Sequence, residues 1–459
     1  MKDKTFFSEV LIRIALPITL QSMFQASFSV IDQLMTGQLG ESNVAAVGLC
    51  GKFSSLFSVL AAAIATAAGI MIAQYMGGKD IEGVSKSFFS NLLLSGVIGA
   101  VFTALSVLFP VGIMSIYSKD DRTIFLSAVC LRIIAIGFLP MACSLMISTL
   151  LRCNGNARFP LYASITSAAL NTALNYVMIF GKMGCPEMGI VGASWATTIS
   201  RSVECIILIS FLVVTLMQRK LVLRPVFRLE AAFKKTFIGI LMPILACEFL
   251  WSLGENVYAV VYGRMGTEAC AAMTLTNPIQ SLMIGALTGV ASAAGIYIGK
   301  CLGNGEKEKA YQEALKFVKY GLIGSIILSC ILLVMNQWYV GLYQVDDKVK
   351  MMTKYILVAY AIIAPVKVQN MILSGGVIRS GGKTAYVMYI DMFGTWCVGV
   401  PLAVIFGLIL HFPIFLTYFI LSLEECVRLV IGVIIFKNKK WINDLTEQEE
   451  GKLLQKACS

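Results

Sequence analysis

Histidine is almost absent: His411 is the only one in 459 residues. No CxxC pair occurs among the 13 cysteines, and Cys130, Cys143, Cys205, Cys330 and Cys397 all sit in apolar runs. Without clustered His and Cys there is no zinc-ligand spacing, and buried free Cys acts as a small hydrophobe. Neither a disulfide framework nor a structural metal is expected, nor a catalytic constellation of the kind an enzyme needs. Charge is scarce too, at 14% of residues, whereas 58% are hydrophobic. Soluble chains run near ~45–50% apolar and ~25% charged. Disorder, collagen and water-soluble globular classes are therefore excluded. What charge there is leans basic, with 37 Lys+Arg against 26 Asp+Glu. In so apolar a chain those cations read as loop anchors on the cytoplasmic side of a bilayer rather than as a nucleic-acid surface.

What remains is long hydrophobic runs. At ~20 residues per crossing, twelve fit: roughly 10–36, 43–75, 87–117, 122–151, 160–181, 188–217, 235–262, 272–300, 314–340, 351–378, 385–410 and 413–436. The expectation is an all-α integral membrane protein. The first run follows Lys2, Asp3 and Lys4 with no small-residue cleavage site after it, and reads as a retained helix. The longest polar connection, Gln218 to Lys235, carries six Lys or Arg and Pro225. It divides the chain into an N-lobe, 1–225, and a C-lobe, 226–459. Lys and Arg assigned to the termini and even-numbered loops, Arg152 and Arg379 among them, number 20, against 6 in the odd loops. Both termini are thus expected in the cytoplasm, and the protein in the plasma membrane.

The two lobes repeat each other. At a shift of 226, Pro17 meets Pro243, Gly37 and Gly40 meet Gly263 and Gly266, and Ala67-Ala68-Gly69-Ile70 meets Ala293-Ala294-Gly295-Ile296. With one insertion Arg152 meets Arg379 and Gly155 meets Gly382. Six spans return the chain to the side it left. The two six-helix bundles should therefore share one orientation about a pseudo-twofold along the membrane normal, an arrangement transporters use.

Ionisable groups at membrane depth cost ~2.5–3.5 kcal/mol and mark function by default. In the first span Gln21, Gln25, Ser29 and Asp32 fall at spacings of 4, 4 and 3, on one face. In the fifth, Ser164, Ser167, Asn171 and Asn175 do the same. Together they build a polar pocket for a small cation or a proton, unless Asp32 is merely hydrated near the surface and the Asn side chains only join helices. In the C-lobe, Glu248, Ser252 and Glu255 share a face of the seventh span with Trp251 alongside. Lys367 and Asp391 lie in the tenth and eleventh. Under the repeat Asp32 maps to Tyr258, and Glu248 and Glu255 map to Ser22 and Ser29, so the acids differ while the scaffold is kept. The C-lobe set reads as substrate or proton groups, or as a structural Lys367–carboxylate pair. Arg201 and Glu204 read as a local ion pair.

The run Pro17…Asp32-Gln33-Leu34-Met35-Thr36-Gly37-Gln38-Leu39-Gly40 resembles the first helix of the MATE (multidrug and toxic compound extrusion) transporters. So do Leu151-Arg152…Gly155 with Pro160, Gly192-Ala193-Ser194-Trp195-Ala196, Tyr262-Gly263-Arg264-Met265-Gly266 and Arg379-Ser380-Gly381-Gly382-Lys383-Thr384. The resemblance covers essentially the whole chain. It implies a monomeric secondary antiporter that expels organic cations in exchange for sodium ions or protons, with no other cofactor. It places coupling-ion binding at Asp32 and Asn171. Asn175 stands where the family commonly has Asp, a departure that removes one charge, and Glu248 stands about where other members carry a functional acid. A flippase for lipid-linked oligosaccharides, built on a related plan, is the alternative. It would be expected to line its cavity with several cations. A membrane-embedded enzyme is the remaining alternative.

Overall fold

The fold is taken from a computed structural model, which describes residues 7–39, 41–219, 223–224, 231–343 and 345–445. Helices account for the regular structure throughout these residues. We number them by span. Helix α1 is Leu16–Gly37, preceded by the wider turns of Phe7–Ala15. Then come α2 (Glu41–Gly77), α3 (Ile81–Leu108), α4 (Asp121–Ile136 and Phe138–Cys153), α5 (Arg158–Phe180) and α6 (Gly189–Arg219). The second set is α7 (Ala231–Arg264), α8 (Thr267–Gly303), α9 (Lys307–Gly341), α10 (Asp347–Asn370, continuing through Met371–Ile378), α11 (Thr384–Ile409) and α12 (Ile414–Leu421 and Glu424–Lys437).

Ten of these twelve pass as crossings by length and apolarity among the described residues, counting the two parts of α4 as one span. The two that fall short are instructive. Helix α5 carries Ser164, Ser167, Asn171 and Asn175, and α12 is interrupted before a Glu-Glu pair. Apolarity is given up where the polar stripes lie.

Some boundaries differ from expectation. The run 122–151 is not one rod but bends by 42° where Gly137 separates its two parts. The run 87–117 ends earlier, at Leu108, because Pro110 starts a separate short helix, Pro110–Ser115. The run 413–436 is two helices joined at Ser422 and Leu423. Local signals set the starts: the Asp80 carboxylate accepts from the Gly83 N–H at 2.9 Å, opening α3. Asp120 does the same for Thr123 and opens α4. The Thr123 hydroxyl, with that backbone N–H, holds the Asp120 carboxyl below its usual range.

By contacts the chain forms two compact units. One holds Leu20–Ile72 and Asp80–Leu229; the other holds Glu230–Ser459 with Met1–Thr19 and Ala73–Lys79. The first packs α5 along α6 and α3 along α4. Its apolar heart sets Phe57 against Phe138 in a tilted pair, 4.7 Å between ring centroids, with Phe102 beside both. The second centres on α10, against α8, α9 and α12, with Ile356, Leu357 and Tyr360 fully buried.

Candidate functional site

In the first unit the two stripes meet. The fully buried Asn175 amide donates to Asp32 Oδ1 at 2.5 Å and to Asn171 Oδ1 at 3.2 Å, while Asn171 donates to Thr197 at 3.5 Å. Gln25 donates to the Ser164 hydroxyl at 3.1 Å. A cavity of about 380 Å³ opens on these groups. Gln25, Ser29, Asp32, Ser164, Ser167 and Asn171 line it. The Arg201–Glu204 pair, 3.2 Å apart, lies on its wall. Asp32 is therefore the carboxylate of this cavity without an ion-pair partner among the described residues. Oxygen donors around a single anionic group suit a small hard cation or a proton. Gln21 stands apart: its Oε1 accepts from Arg152 Nη2 at 2.6 Å. Arg152, assigned above to a loop, thus lies at a helix end turned into the unit.

The second unit is built differently. Arg379, also assigned above to a loop, hydrogen-bonds Glu248 Oε1 at 3.2 Å and the Cys247 sulfur at 3.2 Å, with Asp391 at 4.0 Å. The Cys247 thiol donates to Asp391 at 3.0 Å. Arg428 of α12 sits 3.8 Å from Asp391, 3.2 Å from Glu424 and 3.9 Å from Glu425, and donates to Thr395. The Tyr258 hydroxyl donates to Glu424 at 2.6 Å, and the Asn370 amide to Glu425 Oε2 at 2.8 Å. Lys367 completes the chain 3.9 Å from Glu425. Close approach of α11 to α12 requires glycine. A Cβ at Gly394 would collide with the Arg428 side chain, and one at Gly399 with the Glu424 carboxylate and the Tyr258 hydroxyl. The backbone is widened to π-helical turns over Phe393–Gly399, a feature frequent at functional sites.

A second cavity, of about 250 Å³, opens on this network. Glu255, Tyr258, Gln280, Lys367, Glu424 and Glu425 are among its lining groups. Of the residues expected from sequence, Glu248 and Asp391 gather at Arg379, and Glu255 and Lys367 line the cavity. Trp251 joins neither: it is 44% exposed and lies off the cavity wall. Glu424, Glu425 and Arg428 are additional to the sequence reading, and so is the role of Arg379. A Glu-Glu-x-x-Arg cluster inside an apolar run was the available signal.

A helical chain of twelve spans in two compact units, each holding a charged cavity, defines a polytopic transporter fold. The MatE family model matches residues 17–177 and again 243–405, starting at Pro17 and at Pro243, the register of the internal repeat. This chain belongs to the MatE family, the MATE transporters. It is 24% identical over 448 residues to the uncharacterized transporter YisQ of Bacillus subtilis, covering 96% of each chain. It is 25% identical over 444 residues to a probable multidrug resistance protein, NorM, of Thermotoga maritima, covering 94% of this chain and 92% of that one. A crystal structure of MATE in complex with MaL6 superposes with a TM-score of 0.85 at 18% identity, over 96% of this chain and 97% of that one.

Proposed function

We propose that the protein is a secondary antiporter of the plasma membrane that exports organic cations, drugs among them, in exchange for sodium ions or protons. The multidrug-resistance name of the Thermotoga maritima relative supports the substrate class. The observation that carries the exchange is the Asp32 carboxylate, set on a cavity and hydrogen-bonded by Asn175. In this reading Asp32 holds the coupling ion with Asn171 and Asn175, and Gln25 and Ser29 extend the polar wall. Glu248, Glu255, Asp391 and Lys367 form the counterpart in the other lobe. The lobes, 1–225 and 226–459, alternate access to the two sides as a monomer, with both termini in the cytoplasm. Coupling follows if the ion and the drug favour different states, since a ligand shifts a conformational balance only through differential affinity.

The flippase reading calls for uncompensated cations. Arg379, Arg428 and Lys367 each have a carboxylate within 3.9 Å, which favours export of cations over binding of a pyrophosphate. The test is efflux of a fluorescent organic cation from vesicles, driven first by a sodium gradient and then by a pH gradient. One gradient should accelerate efflux and identify the ion. Equal rates with both gradients collapsed would overturn the antiport reading.

A further inference from the structure

A third cavity, of about 500 Å³, lies in the second unit away from the acids described above. Lys235 at the start of α7, Lys383, Tyr386 and Tyr389 at the start of α11, and Asn443 and Leu445 after α12 are among the groups that line it. The other two cavities each hold carboxylates. This one has two ammonium groups and no acid among its described lining residues. Asp444, next to Asn443, is buried and is not part of that lining. An ammonium has three donors. Lys383 uses one of them inside the chain, on the Lys440 carbonyl at 3.1 Å. Lys235 has no hydrogen bond or ion pair among the described residues.

The walls of the cavity are held in place by the fold. The turn between α10 and α11 is pressed against the chain that follows α12. A Cβ at Gly381 would run into the Trp441 carbonyl, and Gly382, at φ +74°, sits against Leu445. The Thr384 hydroxyl fixes α11 to α7 by donating to the Ile240 carbonyl at 2.9 Å. Further along, the Trp396 indole N–H donates to the Leu250 carbonyl at 3.3 Å. Over this stretch both helices leave apolar faces uncovered. Lys235, Ile238, Met242 and Phe249 share one face of α7 by their spacing, and the three apolar ones are more than half exposed. Tyr386, Tyr389 and Phe393 share a face of α11, with Tyr389 and Phe393 exposed. From Ile238 to Phe249 the strip runs ~16 Å at the rise of an α-helix. One leaflet of hydrocarbon is ~15 Å deep. A cationic cavity thus stands at the head of an apolar strip of acyl-chain length.

We propose that this cavity binds the headgroup of an anionic phospholipid, with an acyl chain laid along the exposed faces of α7 and α11. Lys235 and Lys383 pair with the phosphate, and the Tyr386 and Tyr389 hydroxyls donate to headgroup oxygens. The start of α11 lies in the same wall, and the positive end of a helix dipole favours the anion. Basic pockets between membrane helices suit such headgroups. A free phosphate would use the lysines and leave the strip idle; a phospholipid uses both. Asn443 and Leu445 bring the chain after α12 to the same headgroup, so occupancy ties that segment to α7 and α11. The site is separate from both acidic cavities and stands whether or not the protein is an antiporter.

Native mass spectrometry of the purified full chain, released from nanodiscs of phosphatidylcholine and phosphatidylglycerol, counts the lipids that stay bound. One phosphatidylglycerol should be retained. Both lysines are exposed, so their variants should fold. Lys235→Gln and Lys383→Gln should each weaken retention about fivefold. Tyr389→Phe, which changes no charge, should weaken it about threefold. Lys437→Gln removes a lysine at the end of α12 that is not part of the cavity lining, and should retain the lipid as wild type does. Thermal unfolding gives a second reading: phosphatidylglycerol should raise the unfolding temperature of wild type but not that of the variant lacking both cavity lysines. Retention of phosphatidylglycerol no better than phosphatidylcholine, or an equal loss in Lys437→Gln, would overturn the proposal. Displacement of the lipid by glycerol phosphate in solution would make this a site for free phosphate and overturn the lipid assignment. Efflux is scored separately, so absent antiport with lipid retention intact sinks the export reading alone.

Discussion

Arg152 and Arg379 occupy equivalent places in the two repeats, and their nearest partners are equivalent too. Arg152 binds Gln21; Arg379 binds Cys247, the residue 226 further on, and then Glu248 and Asp391. The scaffold contact is thus shared and the charge is not. Asp32 has no ion-pair partner among the described residues, and its carboxylate is held by the neutral amide of Asn175, itself bonded to Asn171. Around Arg379 and Arg428 four carboxylates interleave with the two guanidiniums, and Lys367 closes the chain. The first arrangement leaves its anion on the cavity wall with no cationic side chain paired to it among the described residues. The second satisfies most of its charges internally and leaves the cavity to Glu255 and Lys367. A duplicated bundle can therefore hold two unlike sites without changing the helices that frame them.

The sharpest way to break this contrast is to remove the paired arginines. Arg379→Met should cost about 3 kcal/mol, because it strands the half-buried carboxylates of Glu248 and Asp391. Arg152→Met should cost only about 1–2 kcal/mol, since it leaves a neutral amide behind. Thermal unfolding in detergent measures both, and equal losses would erase the distinction. Next, Asp32→Asn should lower efflux by about 100-fold, the equivalent of roughly 3 kcal/mol for a lost charged partner. Its unfolding temperature should match wild type. Wild-type efflux in that variant would remove Asp32 from the mechanism. Gly394→Ala should destabilise by about 1–3 kcal/mol through collision with Arg428. Gly37→Ala in the other repeat, with nothing near a new Cβ, should be neutral or stabilise by up to about 1 kcal/mol, since alanine is the better helix former. The smallest effect is expected at Trp251, whose exposed side chain should tolerate Trp251→Leu within about 0.5 kcal/mol.

The polar cluster around Asp32 was largely legible in the sequence. Spacings of three and four fix which side chains share a helix face, and Asp32, Asn171 and Asn175 needed only that rule. The repeat was legible because glycines and prolines keep register through two of the longest helices. What spacing does not reveal is how deep a helix end lies. Arg152 and Arg379 follow long apolar runs and precede glycine turns, so they read as loop cations, yet each turns back to a partner 131 residues away. Helix α12 was hidden differently. In the sequence the run 413–436 averages as apolar as a crossing, and that average hides Glu424, Glu425 and Arg428. Trp251 failed in the opposite sense: sharing a turn with Glu248 and Ser252 does not put it on their face.

The interruption of α12 bears on how the protein is made. A short apolar piece followed by two acids and an arginine is a poor candidate to leave the insertion machinery for lipid on its own. Its charged groups are paired by Lys367 and Asp391 and hydrogen-bonded by Tyr258, Asn370 and Thr395, which are all synthesised earlier. Helix α12 therefore depends on helices already in place, and its entry is a step of assembly rather than of partitioning.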